Sequence, residues 1–313
     1  MTVAVATSTA RLRYGHILAA ITSVPWAILP VKMEAIAEFI AIKAAGGNIS
    51  SSDVAAVVGA ARGGGAVAAG GGVMVIPVVG TITPRADLMS EWSGGTTTRG
   101  VALALRQALA DPEVGSIVLD IDSPGGNVYG VEEVAAEIYS ARNSKPIVAV
   151  ANSLMASAAY WIGAAASEVW VAPSGEAGSI GVLAAHEDVS AALEAQGVRV
   201  NLISAGKYKV EGNPYEPLGD EARGAIQKRV DEYYAAFTTA VARYRGATPE
   251  AVRDGFGEGR VVGAREAVKV GLADRVGTLD QAVARSAELA RKAQRERGQR
   301  AERRSALTAL GIE

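Results

Sequence analysis

Ile147-Val-Ala-Val-Ala-Asn-Ser-Leu-Met-Ala-Ser-Ala-Ala-Tyr-Trp161 is the stretch from which the rest of the chain can be read. Ile147 to Ala151 is an uncharged apolar run of strand length, ended by polar residues. Ser157 follows at the point where a helix opens, among small residues (Ala156, Ala158, Ala159). Working outward, Val73 to Val79 is a second apolar strand closed by Gly80, and Ser116 to Asp122 is a third. Helical periodicity fills the intervals: Val101, Leu103, Leu105 and Leu109 within Thr96 to Asp111, then Val131 to Arg142. Further on, Glu168 to Ala172, Ser179 to Leu183 and Val198 to Ser204 read as strands, and Val189 to Gln196 as a helix. Apolar strands alternating with helices predict α/β architecture with parallel pairing.

The flanks read differently. Tyr14 to Ala45 is expected to form a helical arm, with Trp26 and Ile28 before a Pro30 break and Met33, Ile36, Phe39 and Ile40 after it. A Ser-Ser-Ser-Asp run at 50–53 caps an expected helix from Val54 to Ala61. The run 63–72, dominated by glycine, reads as a linker; it lacks the Lys-Ser/Thr ending of a phosphate loop. Beyond the strands, Asp220 to Arg245 is a long amphipathic helix, and Thr248-Pro249 starts a short one. Leu279 to about Arg304 becomes strongly charged. The expected division is an N-terminal helical arm (1–62), a linker (63–72), a main domain (73–280) and a charged helical tail (281–313).

Composition narrows the function. The 313 residues are 49% hydrophobic and 20% charged, with a net charge of −2, so no basic footprint for nucleic acid is present. There are no cysteines, hence neither disulfides nor thiolate metal sites, and the two histidines, His16 and His186, are too few for a histidine metal site. The apolar stretch from His16 to Pro30 is shorter than the roughly 20 residues of a spanning helix and is broken by Pro25. No membrane segment and no signal peptide are expected.

Three elements carry chemistry. A serine at a helix start, as Ser157 is, can be a nucleophile aided by the helix dipole or a plain N-cap; on local sequence the cap is the commoner reading. Asp122-Ser-Pro-Gly-Gly126 ends a strand, where α/β folds place their sites, and glycine amides are unobstructed oxyanion donors. An ordinary turn has the same composition. Lys207 and Lys209 follow an apolar segment; a lysine serves as general base when burial keeps it neutral, and their spacing of two does not choose between them.

The set Asp122-Ser-Pro-Gly-Gly126, Ala156-Ser-Ala-Ala-Tyr160, Gly178-Ser-Ile-Gly-Val182 and Gly206-Lys-Tyr-Lys-Val-Glu-Gly-Asn-Pro214 resembles peptidase family S49, the family of signal peptide peptidase A and the phage prohead proteases. The resemblance covers Val73 to Val276 and implies a ClpP/crotonase-like spiral of ββα units. It implies a Ser–Lys dyad: Ser157 the nucleophile, Lys209 the base, Ser179 supporting the lysine, and the Gly125 and Gly126 amides in the oxyanion hole. It implies no cofactor and no metal.

His16-Ile-Leu, Pro25-Trp-Ala-Ile-Leu-Pro30 and the motif around Lys209 resemble the phage branch, which implies a capsid maturation protease. Its partners would be capsid and scaffold proteins and further copies of itself, with no nucleic acid and no membrane. Its place would be the host cytoplasm and prohead interior, and the run 63–72 is a candidate self-cleavage site. The alternatives are a host signal peptide peptidase, a ClpP-like Ser–His–Asp enzyme using His186, and a non-proteolytic crotonase-fold scaffold or acyl-CoA enzyme.

Overall fold

The computed structural model describes residues 25–36, 66–85 and 95–309. The expected cap and helix at 50–61, residues 63–65 of the glycine run, and the arm before 25 and after 36 lie outside them.

In chain order the elements are β1 (Trp26–Ile28), β2 (Val67–Ala69), β3 (Val73–Val79), β4 (Ile82–Thr83), β5 (Thr96–Thr97) and α1 (Thr98–Ala110). Then come β6 (Ser116–Ser123), β7 (Gly125–Asn127), α2 (Val131–Ala141), β8 (Ile147–Ala156) and α3 (Ala158–Ala164). They are followed by β9 (Glu168–Val171), β10 (Glu176–Gly178), α4 (Ser190–Ala195), α5 (Asp220–Arg245) and α6 (Pro249–Gly255). The last are β11 (Val261–Gly263), α7 (Ala264–Val270), β12 (Arg275–Val276) and α8 (Leu279–Ala309).

The large sheet has the order β11-β10-β8-β6-β3-β2, with β9 also on β8 and β12 on β9. Its centre, β3, β6, β8 and β10, is parallel throughout, and the antiparallel strands β2 and β11 close its ends. The small sheet runs β1-β7-β4-β5. Two long strands are each followed by a short excursion into the small sheet and then a helix: β3 by β4, β5 and α1, and β6 by β7 and α2. This is the ββα spiral of a ClpP/crotonase-like fold.

Strand alternation puts the two faces of the sheet to different uses. Ile117, Leu119 and Ile121 of β6 join the main core with residues of α1, α2, α3 and α5. Val118 turns the other way, with Val73, Val148, Val150 and Trp170, and packs against α8 through Ala282 and Ala287. Charge depletion along Ile147–Ala151 follows, because both faces of β8 are covered and each ion there would need a partner.

Four expectations are corrected. Trp26–Ile28 is not helical: it is a strand antiparallel to β7, and helix begins only at Pro30. Part of the glycine run is not linker, since Val67–Ala69 pairs with β3 as an edge strand. The tail does not begin at 281: Ala282, Ser286 and Ala290 recur every four residues and are buried, and the Ser286 hydroxyl donates to Ser116 Oγ at 2.9 Å. Alanines and a serine spaced this way let α8 approach the sheet closely, but they carry little hydropathy. Finally, Ser179 to Leu183 forms only a single bridge, Leu183 to Trp26, and Val198 to Ser204 forms no strand. Extended segments become strands by pairing, and neither of these has a full ladder partner among the described residues.

Two devices fix α3. Trp161 stacks on Phe237 of α5, ring centroids 4.5 Å apart and 6° from parallel, both fully buried. Tyr160 Oη donates to Leu272 O at 2.8 Å; burial pushes its phenol pKa up and keeps it a donor. The 271–274 loop that receives it is clamped by Arg245, which donates to both Asp274 oxygens (3.0 and 2.8 Å) and to Gly271 O.

Candidate active site

Ser157 sits between β8 and α3 and is 1% exposed. Its backbone angles, φ 56° and ψ −118°, lie outside the regions an L-residue adopts freely, at a cost of order 1–3 kcal/mol. The strain is held by neighbours. Ser157 N–H donates to Gly178 O at 2.8 Å, and Ser157 O accepts from Trp161 N–H at 2.9 Å. The hydroxyl makes no capping bond; it donates to Gly181 O at 3.3 Å. The N-cap reading therefore fails, and Ser157 Oγ is left in a weak bond beside the glycine turn.

That turn needs both glycines. Gly125 has φ +96°, and a Cβ there would lie 3.0 Å from both Ser157 Cβ and Ala156 O and would collide with Ala27 O. A Cβ on Gly126 would run into the Ile82 backbone. The turn is pinned by a residue the sequence reading passed over as mere turn: buried Ser123, whose hydroxyl donates to Gly80 O (2.7 Å) and accepts from Gly125 N–H (3.2 Å). Its signal was there, a hydroxyl directly before Pro-Gly-Gly. Just upstream, burial pushes the Asp120 carboxyl up, against a bond from Asn152 and with the help of neighbouring Asp122.

Ser179 lies on the same rim. It too has positive φ (54°), is 6% exposed, and donates its N–H to Arg260 O at 2.7 Å. Ser157, Gly125, Gly126 and Ser179 are thus brought together. Lys209 is not bonded to them. It is exposed, in the turn that ends a run from 195 to 209 exposed throughout, and its side chain makes no hydrogen bond or ion pair with a described residue. Lys207 is engaged elsewhere, with Glu221 at 2.9 Å and the Tyr208 hydroxyl at 2.7 Å. His186 forms no relay with Ser157 either; its Nε2–H donates to Asn213 O at 3.0 Å.

With this geometry in view, the chain can be set beside known proteins. The profile of "Peptidase family S49" matches residues 140–293. "Capsid assembly protease C" of Escherichia phage lambda is 41% identical over 202 residues, covering 64% of this chain and 46% of the relative. "Protease 4" of Salmonella typhi is 36% identical over 199 residues, covering 63% of this chain and 31% of the relative. The chain thus spans less than half the length of either. Among solved structures, a ClpP1 mutant from Listeria monocytogenes superposes with a TM-score of 0.41 at 13% identity, over 67% of this chain and 94% of that one.

Proposed function

The chain belongs, through residues 140–293, to peptidase family S49, and from that premise we propose that it is a serine endopeptidase with Ser157 as nucleophile. The observation that carries the reading is the strained Ser157, its hydroxyl uncapped and its Cβ beside Gly125. In the proposed reaction Ser157 Oγ attacks a peptide carbonyl while Lys209 takes its proton. The oxyanion is held by the amides of Gly126 and of Gly125, whose N–H is shared with Ser123 Oγ; Lys209 returns the proton to the leaving amine, and water then hydrolyses the acyl-enzyme. Ser179, on the rim beside Ser157, orients the lysine. By analogy with the lambda relative, a capsid assembly protease, the substrates proposed are capsid and scaffold proteins, and the place of action is the prohead interior. Among the described residues no helix is long and apolar enough to cross a membrane.

No bond joins Lys209 to Ser157 within the chain, and the segment that carries the lysine supports docking between chains. Val198, Val200 and Leu202 alternate in strand fashion yet are 46%, 37% and 44% exposed, and Ile203 is fully exposed. A second copy of the chain would cover them and bring Lys209 onto a serine. The test is mass spectrometry of wild type, Ser157→Ala and Lys209→Ala after incubation with a capsid or scaffold protein, followed by mixing the two variants. Cleavage by wild type, none by either variant, and recovery on mixing is the expected result. An active Lys209→Ala eliminates Lys209 as base. Identical behaviour of all three ends the peptidase reading.

A further inference from the structure

Five residues, Pro25 to Leu29, lie along the lip of the serine site with main-chain hydrogen bonds on both edges. On one edge β1 runs antiparallel to β7, with Trp26 opposite Asn127, Ala27 opposite Gly126 and Ile28 opposite Gly125. Leu29 N–H donates to Pro124 O at 3.0 Å, and Val128 N–H donates to Pro25 O at 3.5 Å. Hydrogen-bonded pairs alternate along an antiparallel ladder, so Ala27 and Gly126 form the bonded pair between those two. On the other edge Trp26 and Leu183 exchange N–H···O bonds of 2.8 and 2.9 Å. Leu183 is two residues beyond Gly181, whose carbonyl accepts the Ser157 hydroxyl.

The segment also reaches the chemistry. The Ala27 carbonyl oxygen crowds the point where a Cβ on Gly125 would sit, and Ser157 Cβ is 3.0 Å from the same point. Ala27 therefore engages Gly126, one of the two proposed oxyanion donors, at the mouth of the site. Trp26, Ala27 and Ile28 are 4%, 0% and 3% exposed, so the track takes a small side chain on one face of the strand and large apolar ones on the other. Pro25 and Pro30 bound the segment and limit its pairing, because proline donates no ladder bond.

A short strand, paired on both edges and laid across a serine and two glycines, has the geometry of a peptide bound by strand addition. We propose that Pro25 to Leu29 is the chain's own blocking segment, filling the track between β7 and residues 181–183 that an extended peptide substrate would take. This rests on the peptidase reading of Ser157. A peptide substrate then competes with a segment already in place, which reduces its apparent affinity by the fraction of time the track stands open.

The test uses the full chain and a Trp26→Ala/Ile28→Ala variant, with two probes: a fluorophosphonate that labels a reactive serine, and a fluorogenic apolar peptide. The variant is expected to label faster and to show an apparent KM lower by about tenfold, the drop expected if the wild-type track is open a tenth of the time. The free pentapeptide Pro-Trp-Ala-Ile-Leu should then inhibit the variant competitively. Equal labelling and equal KM, with no inhibition, would make β1 an ordinary structural strand. If neither protein labels or cleaves, the peptidase reading falls and this proposal falls with it. Should the variant fail to fold, hydrogen exchange on wild type decides. Phosphonylation of Ser157 by a peptidyl aryl phosphonate, with the phenol leaving, must strip protection from the amides of Trp26 to Leu29, and retained protection on fully modified protein overturns the proposal.

Discussion

Gly125→Ala puts a methyl group against Ser157 Cβ and the carbonyls of Ala27 and Ala156, at a φ that disfavours any side chain. We expect soluble, folded protein that has lost about 10²-fold or more in kcat, the scale of a lost oxyanion donor, in the assay that Ser157→Ala abolishes. Arg245 and Asp274 act on stability instead. Burial would raise the Asp274 carboxyl, but the Arg245 bonds outweigh it and hold it below the usual range, with help from Val169 N–H. A carboxylate held down in the folded state stabilises above its unfolded pKa, and that contribution vanishes as pH falls through the lowered folded value. Asp274→Asn should therefore cost about 2 kcal/mol at pH 7, less than a fully buried pair because the Asp274 side chain is 37% exposed. The difference from wild type should shrink toward pH 3, as read by urea melts at both values. None of this clamp was legible in sequence, since 29 residues separate the partners and only the fold brings them together.

Among the elements, α8 and the 195–209 run are the two whose sequence misleads, in opposite directions. The first turns of α8 read as charged tail yet cover one face of the sheet. Ala282→Leu is expected to lower stability by about 1–3 kcal/mol through overpacking, whereas Arg291→Leu, on the exposed side, should stay within about 0.5 kcal/mol. Thermal melting of the two variants checks the contrast. Val198 to Ser204, which reads as a strand, lies within a run from 195 to 209 that is exposed throughout. Ile203→Asp should leave the melting temperature of dilute protein unchanged and reduce both self-association in sedimentation and activity at working concentration. A fall in melting temperature without any change in association would place Ile203 in an intramolecular contact instead. Where patterning agreed with partners, as in β3, β6 and α5, the elements came out as read, whereas β8 runs five residues past the expected end at Ala151, to Ala156.

At the scale of the molecule, two sheets meet at Ser157. The large parallel sheet delivers the serine from β8, and the small sheet brings Gly125 and Gly126 beside it through β7. The same small sheet admits β1 as its edge strand, which is how a segment near residue 26 comes to share a site with residues 125, 157 and 183. If Lys209 comes from another chain, specific activity should rise with protein concentration and level off once the assembly is complete. Activity proportional to concentration down to the monomer range would place both dyad members in one chain.

Local chemistry was enough to read the α/β alternation, the serine at the end of an apolar strand, the Pro-Gly-Gly turn and the Thr248-Pro249 helix start, because each depends on residues close in the chain. The positive φ at Ser157, the Ser123 lock, the Arg245–Asp274 clamp and the strand at Trp26–Ile28 came only from tertiary structure. Each of these exists through a partner tens to a hundred or more residues away, and hydrophobic periodicity records that a face will be buried without recording what buries it.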